Sequence, residues 1–228
     1  MLSRSIIIIT LVFCSINLHS QTPPLDPHWN LVWEDHFDGN KNDVYSSWRI
    51  HNEWDHYGEP QVYLDQNVTV NNSVITLECK NELYQCSQNG LNNGCVRESS
   101  TGLPYKFTSG AIDTEYKKYF SYGYFEARIK LPIGRGFFPA FWLFSQEDDC
   151  YQEIDIFELY PRDECGLTAQ TLGTNIHYTG FGQCNNKQEY HIDNPTAWNY
   201  YGLEWNSETI TWYINGEKIR TILNPGIH

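Results

Sequence analysis

Glu153-Ile154-Asp155-Ile156-Phe157-Glu158 places three carboxylates among apolar residues, and the way this stretch folds decides how the chain is read. Its isoleucines and phenylalanine favour a strand. Successive side chains on a strand point to opposite faces, so Glu153 and Asp155 share one. Glu158 lies at an odd offset from Glu153 and on a regular strand projects the other way. A β-bulge near Ile156-Phe157 adds one residue and returns Glu158 to the shared face. Grouping like charges raises their pKa values and costs stability. The plainer reading of the same six residues is a half-buried strand with a solvated acidic face.

Working outward, the clearest alternation precedes this stretch. Phe125, Ala127, Ile129 and Leu131 fall on one face, and Tyr124, Glu126, Arg128 and Lys130 on the other. Pro132-Ile133-Gly134-Arg135-Gly136 breaks that strand, and Phe138 to Phe144 resumes it. After the acidic stretch, Leu172 to Tyr178 puts Gly173, Asn175 and His177 on one side. Thr209 to Ile214 and Glu217 to Ile222 flank Asn215-Gly216, a tight-hairpin signal. Toward the N-terminus, Leu31 to Trp33 and Val74 to Cys79 read as strands. Asn81 to Pro104 is polar, carries two cysteines and reads as a long surface loop. No helix of convincing length, internal repeat or linker is visible. Many short strands with frequent turns predict an all-β antiparallel sandwich or barrel.

A chain of 228 residues buries a substantial core and fits one domain. Its 8 Trp, 16 Tyr and 11 Phe suit strands and supply flat surfaces for ligands. A formal charge of −13 argues against nucleic acid and anionic membranes as partners, and against a highly sulfated polysaccharide. A neutral ligand fits better.

Residues 1–20 read as an export signal: Arg4 precedes a short apolar run from Ile6 to Phe13, too short to span a bilayer, with cleavage after Ser20. A lipoprotein reading through Cys14 is weakened by the bulky Phe13 before it. The predicted location is therefore secreted, extracellular or periplasmic, with no membrane partner for the mature chain. Setting Cys14 aside leaves Cys79, Cys86, Cys95, Cys150, Cys165 and Cys184, an even set that points to disulfides in an exported chain. Cys86 and Cys95 are spaced for a loop staple. The zinc alternative lacks paired short Cys or His spacings. The chain stops at Asn224-Pro225-Gly226-Ile227-His228, directly after the hairpin, and a closing strand is expected to be missing.

Two carboxylates across a glycosidic bond are the minimum equipment for hydrolysing it; a retaining enzyme holds them about 5–5.5 Å apart. Strand rise alone separates four steps by about 13 Å at Cα, so curvature, the bulge and leaning side chains must close the gap. The acid has to be protonated at working pH, which a neighbouring anion and partial burial promote. Asp155 stands between the two glutamates, placed to hydrogen-bond one of them. Trp142, Phe138, Tyr151 and Trp54 are candidates for sugar stacking, although single aromatics are more often core. A lone His on a strand is more often structural, and Asn175 beside His177 strengthens its claim to the site. No G-x-S-x-G elbow, phosphate-binding loop or H-E-x-x-H motif is present.

These residues resemble glycoside hydrolase family 16. Glu153-Ile154-Asp155-Ile156-Phe157-Glu158 is similar to its E-x-D-x-x-E signature in the bulged form found in laminarinases and agarase-like members. Leu31-Val32-Trp33-Glu34-Asp35-His36-Phe37-Asp38-Gly39 resembles the family's opening strand. Thr108-Ser109-Gly110, the run from Tyr122 to Pro132, and Gly136-Phe137-Phe138-Pro139-Ala140-Phe141-Trp142 follow in the expected order. The resemblance implies a β-jelly roll with a concave substrate cleft over residues 21–228, and retaining hydrolysis of a β-glycan by a monomer. It assigns Glu153 as nucleophile, Asp155 as its helper and Glu158 as acid/base. Trp142, Phe138, Trp54, Glu59, His177 and Asn175 are then substrate-binding candidates. No cofactor is required; a structural calcium near Asp38-Gly39 is the one metal the resemblance offers. Two departures stand out: Phe138 occupies a position where laminarinases usually carry Trp, and the last core strand is absent. β-1,3- or mixed-linkage glucan leads as substrate. A galactan hydrolase, a transglycosylase and a non-catalytic glucan-binding module are the competing readings; retention of both glutamates argues against the last.

Overall fold

The computed structural model describes residues 4–9, 29–56, 59–86, 104–134, 136–147, 150–160, 171–178 and 186–228. The signal cleavage site, Cys14, Cys95, Cys165, Cys184 and most of the 81–104 loop lie outside them. The chain divides into two compact units, residues 1–34 with 121–228, and residues 35–120.

The first unit is a two-sheet β-sandwich. Its four-stranded sheet is an antiparallel meander of Ala140–Glu147, Cys150–Tyr160, Thr171–Tyr178 and Gln188–His191. The six-stranded sheet runs Glu217–Leu223, Thr209–Ile214, Asn199–Trp205, Gly123–Ile129, Arg4–Ile9 and Trp29–Glu34. Neighbours pair antiparallel there except Arg4–Ile9, which runs parallel to both of its partners. Ile6 to Ile9 of the apolar run read as the centre of an export signal belong to this strand; the rest of that run lies outside the described residues.

The strand around Phe125 is buried on both faces, since Tyr124 and Glu126 are as covered as their neighbours. Phe125 and Ala127 are buried together with Tyr201 and Leu203 opposite them. From the other sheet come Ile154, Phe157, Leu159, Leu172 and Ile176, all buried. The sheets meet through Phe157 and Tyr201, whose ring centroids lie 4.4 Å apart. The hairpin forms where Asn215-Gly216 predicts it: both residues have positive φ, 50° and 77°, the backbone that a two-residue turn matching strand twist demands.

The second unit holds three short strand pairs: Arg49–Ile50 with Ile112–Asp113, Gln61–Tyr63 with Phe107–Ser109, and Val68–Asn71 with Val74–Leu77. Val62, Leu64 and Tyr105 form its small core. It also contains a helix that sequence reading missed, Lys41–Ser47. Only Val44 of this helix is buried, so it shows no apolar periodicity. Its signature is the cap instead: Asn40 accepts from the Asn42 amide at 2.9 Å, and Asp43 reaches back to the Asn40 amide at 2.7 Å.

Cys79 is a free, exposed thiol. This corrects the even set of paired cysteines, because removing one from six leaves an odd number.

Candidate active site

The register of the Cys150–Tyr160 strand resolves the odd offset of Glu158. Against Ala140–Glu147, Phe157 pairs with Phe141 and Asp155 with Trp142, so Ile156 is the extra residue. On the other side Asp155 pairs with Asn175 and Glu158 with Gly173, so two residues, Ile156 and Phe157, face one, Thr174. Ile156 and Phe157 both turn into the core, 3% and 1% exposed. Their joint burial supplies the apolar contact that holds the bulge. Glu153, Asp155 and Glu158 therefore share one face, flanked by Trp142 and Phe144 on one neighbour and by Asn175 and His177 on the other.

Asp155 lies at the centre and is 1% exposed. Burial, then the charges of Glu158 and Glu153, then a hydrogen bond with Glu153 push its carboxyl up to about 9. At neutral pH it is consequently a protonated acid that donates to the Glu153 carboxylate. Glu153 keeps 14% of its side chain exposed, enough for one oxygen to meet a ligand. Tyr151, two residues earlier on the same face, donates its hydroxyl to Glu153 Oε2.

His177 joins this group. Its Nε2 lies 3.2 Å from Asp155 Oδ2, 3.6 Å from Glu153 Oε1 and 2.8 Å from Asn175 Nδ2. Glu153, Asp155 and His177 each offer one ligand atom, and these atoms lie within 4.8 Å of one another, so the trio could hold a cation. Asp38, offered for a structural calcium, accepts from the Ser73 hydroxyl at 2.7 Å and belongs to no such grouping among the described residues.

Trp142 is 37% exposed on the carboxylate face. Phe138 is 47% exposed but precedes the strand, which begins at Ala140. The backbone continues the pairing one residue earlier, since the Pro139 carbonyl accepts from the Leu159 amide at 3.0 Å. Trp54 and Glu59 belong to the other unit, where both gather around Tyr63. Trp54 lies 5.2 Å from the Tyr63 ring, and Glu59 accepts from its hydroxyl at 2.8 Å. The His51 ring stacks on Trp54 at 4.1 Å, covering one face of a ring that sequence reading treats as an open platform.

Two residues that sequence reading passed over hold the site from behind. Trp212, fully buried, donates its indole N–H to the Asp155 carbonyl at 2.8 Å. Arg220, opposite Trp212 on the neighbouring strand, donates to the Thr174 carbonyl at 2.9 Å and to its hydroxyl at 2.8 Å. The Arg220 guanidinium also stacks on the Trp212 ring at 4.5 Å. The sequence offers no clear signal for this, because Arg220 shares its strand with Glu217 and Lys218.

The description "Glycosyl hydrolases family 16" matches residues 60–226. The chain is 28% identical to a Beta-glucanase from Rhodothermus marinus, covering 90% of this chain and 69% of that one. It is 30% identical to a Kappa-carrageenase from Pseudoalteromonas carrageenovora over 68% of this chain and 43% of that one. Among solved structures it is similar to an endo-beta-1,3-glucanase from Pyrococcus furiosus, with a TM-score of 0.68 and 25% identity, covering 86% of this chain and 74% of that one. The chain thus spans from under half to about two thirds of the length of these curated relatives.

Proposed function

Because this chain belongs to glycosyl hydrolases family 16, we propose that it is an endo-acting β-glycanase that hydrolyses β-1,3- or β-1,3-1,4-glucan with retention of configuration. The observation that carries this reading is the Ile156 bulge, which returns Glu158 to the face shared by Glu153 and Asp155. In the first step Glu153 attacks C1 of the sugar while Glu158 gives its proton to the departing glycosidic oxygen. In the second, Glu158 takes a proton from water, the water oxygen bonds to C1, and the bond to Glu153 breaks. Asp155, protonated at neutral pH, donates to Glu153 and spares the cluster a third buried charge. Trp142 supplies an exposed flat surface beside it for a sugar ring.

A net charge of −13 supports a neutral glucan over an anionic polymer. The export reading of residues 1–20 supports a secreted enzyme, and we assign it as a monomer acting on extracellular polysaccharide. The similarity to a Kappa-carrageenase and Phe138 in place of Trp support a second reading, a galactan hydrolase.

The test assays the chain against laminarin, mixed-linkage glucan, agarose and porphyran, with NMR of the first-formed anomer. Laminarin or mixed-linkage glucan should yield the retained anomer first. Glu158→Gln should lose nearly all turnover yet still bind the polymer. An inverted first product rejects the double displacement, and binding without turnover by the native chain rejects the enzyme reading.

A further inference from the structure

Glu153 meets different partners at its two oxygens. Oε1 faces His177 Nε2 at 3.6 Å, while Oε2 accepts from the Tyr151 hydroxyl. Tyr151 reaches it because residues two apart on a strand share a face. Its ring is held edge-on to Phe144 at 5.4 Å and 72°, and Phe144 is held edge-on to Trp142 at 5.6 Å and 68°. Phe144 is also the residue paired directly across from Glu153. An aromatic row thus braces the phenol, and the phenol fixes a carboxylate that would otherwise turn about several single bonds.

We propose that Tyr151 is a positioning residue for Glu153 that favours breakdown of the glycosyl-enzyme. The inference rests on Glu153 being the nucleophile. In the covalent intermediate one Glu153 oxygen is bonded to C1, and the group no longer carries a full negative charge. When water attacks C1, the C1–O bond breaks and its electron pair returns to Glu153, while Glu158 takes the water proton. The Tyr151 hydrogen bond strengthens as that charge reappears, and Tyr151 itself is unchanged at the end. The same bond steadies the free carboxylate before attack, so its loss slows the second step more than the first.

The test compares the native chain with Tyr151→Phe on 2,4-dinitrophenyl β-laminaribioside by stopped flow, with intact-mass spectrometry of the quenched enzyme. Losing a hydrogen bond to a charged group should lower kcat about 10- to 100-fold, with a smaller change in kcat/KM. A burst of dinitrophenolate and accumulated glycosyl-enzyme should appear in the variant only. A role in packing alone moves neither the burst nor the mass, since phenylalanine keeps the ring against Phe144. Should Tyr151→Phe fail to fold, 3-fluorotyrosine at 151 preserves the shape and sharpens the donor, and should speed breakdown of the intermediate. Native turnover with an unchanged kcat and no burst in Tyr151→Phe, or unchanged breakdown with 3-fluorotyrosine, overturns this inference alone. A native chain that releases no dinitrophenolate overturns the glucanase reading and this inference with it.

Discussion

The indole N–H of Trp212, in the six-stranded sheet, donates to the carbonyl of Asp155, in the four-stranded sheet, at 2.8 Å. Asp155 is the last residue before the bulged Ile156, where the ladder is interrupted and backbone groups need other partners. The contact ties the bulge, and with it the relative placement of the carboxylates, to the opposite layer of the sandwich.

Replacing Trp212 by Phe keeps most of the apolar volume but strands a buried carbonyl. Stability should fall by about 1–3 kcal/mol, measurable by urea unfolding. Activity should fall by about 10- to 100-fold through displacement of Asp155, with polysaccharide binding less affected. Native activity in this variant would show that the bulge holds its shape without the indole.

The proton on Asp155 makes a pH prediction with a definite sign. Its folded carboxyl is pushed up to about 9, whereas an unfolded Asp titrates near 4. Between those values the folded state binds the extra proton, so stability falls as pH rises and levels off above about 9. Glu126, also buried, is pushed up to about 7 by burial and adds a fall of the same sign between roughly 4.5 and 7. Asp155→Asn, which keeps a neutral donor, should flatten the upper part of this slope in thermal melts across pH. The native chain's hydrolysis rate should decline near pH 9 as Asp155 loses its proton, and Asp155→Asn should lack that decline.

Deleting Ile156 would convert the bulge into a regular strand. Glu153, Asp155 and Glu158 then stand at even offsets and still share a face. The lost core side chain should cost about 2–5 kcal/mol. Hydrolysis should be reduced yet exceed that of Glu158→Gln by at least about tenfold, by analogy with the cost of shifted geometry. Equal inactivity of the two variants would mean that the bulge sets the carboxylate separation, beyond setting the face.

A chain beginning at Gln21 lacks the Arg4–Ile9 strand, which pairs with both Trp29–Glu34 and Gly123–Ile129. Both partners lose ladder hydrogen bonds and gain exposed edges. On the export reading the shortened chain is the mature enzyme, and it should melt no lower than the full chain and run as a monomer on size-exclusion chromatography; a midpoint lower by several degrees with self-association would reject cleavage after Ser20. An unchanged, monodisperse product would indicate that the two flanking strands close the gap between themselves.

Much of the site was legible because its residues are close in sequence and obey a period of two. Glu153 to Glu158, Gly173 to His177 and Trp142 to Phe144 each occupy one strand, so alternation assigns their faces, except that Glu158 needs the bulge to join Glu153 and Asp155. The Asn215-Gly216 turn was legible for a similar reason, since positive φ at two successive positions restricts the choice of residue. The Lys41–Ser47 helix was hidden because its signature is a polar cap instead of an apolar stripe. The cysteines pointed to disulfides, and Cys86 is disulfide-bonded, but pairing depends on distance in space and Cys79 is free. Nothing in the neighbouring sequence of Trp54 announces that the His51 ring stacks on one of its faces.

By itself the sequence determined the all-β class, the acidic strand and the need for a bulge if Glu158 is to act with Glu153. Local alternation and turn chemistry are properties of consecutive residues, and they survive translation into a string of letters. The tertiary structure decided which residue is the bulge, which acid keeps its proton, and what holds them. Ile156 is singled out by the register of two neighbouring strands; Asp155 is protonated because those strands and the opposite sheet exclude water from it. Trp212 and Arg220 reach the site across the core from more than forty positions away in sequence, and contacts of that kind exist only once the sheets have packed.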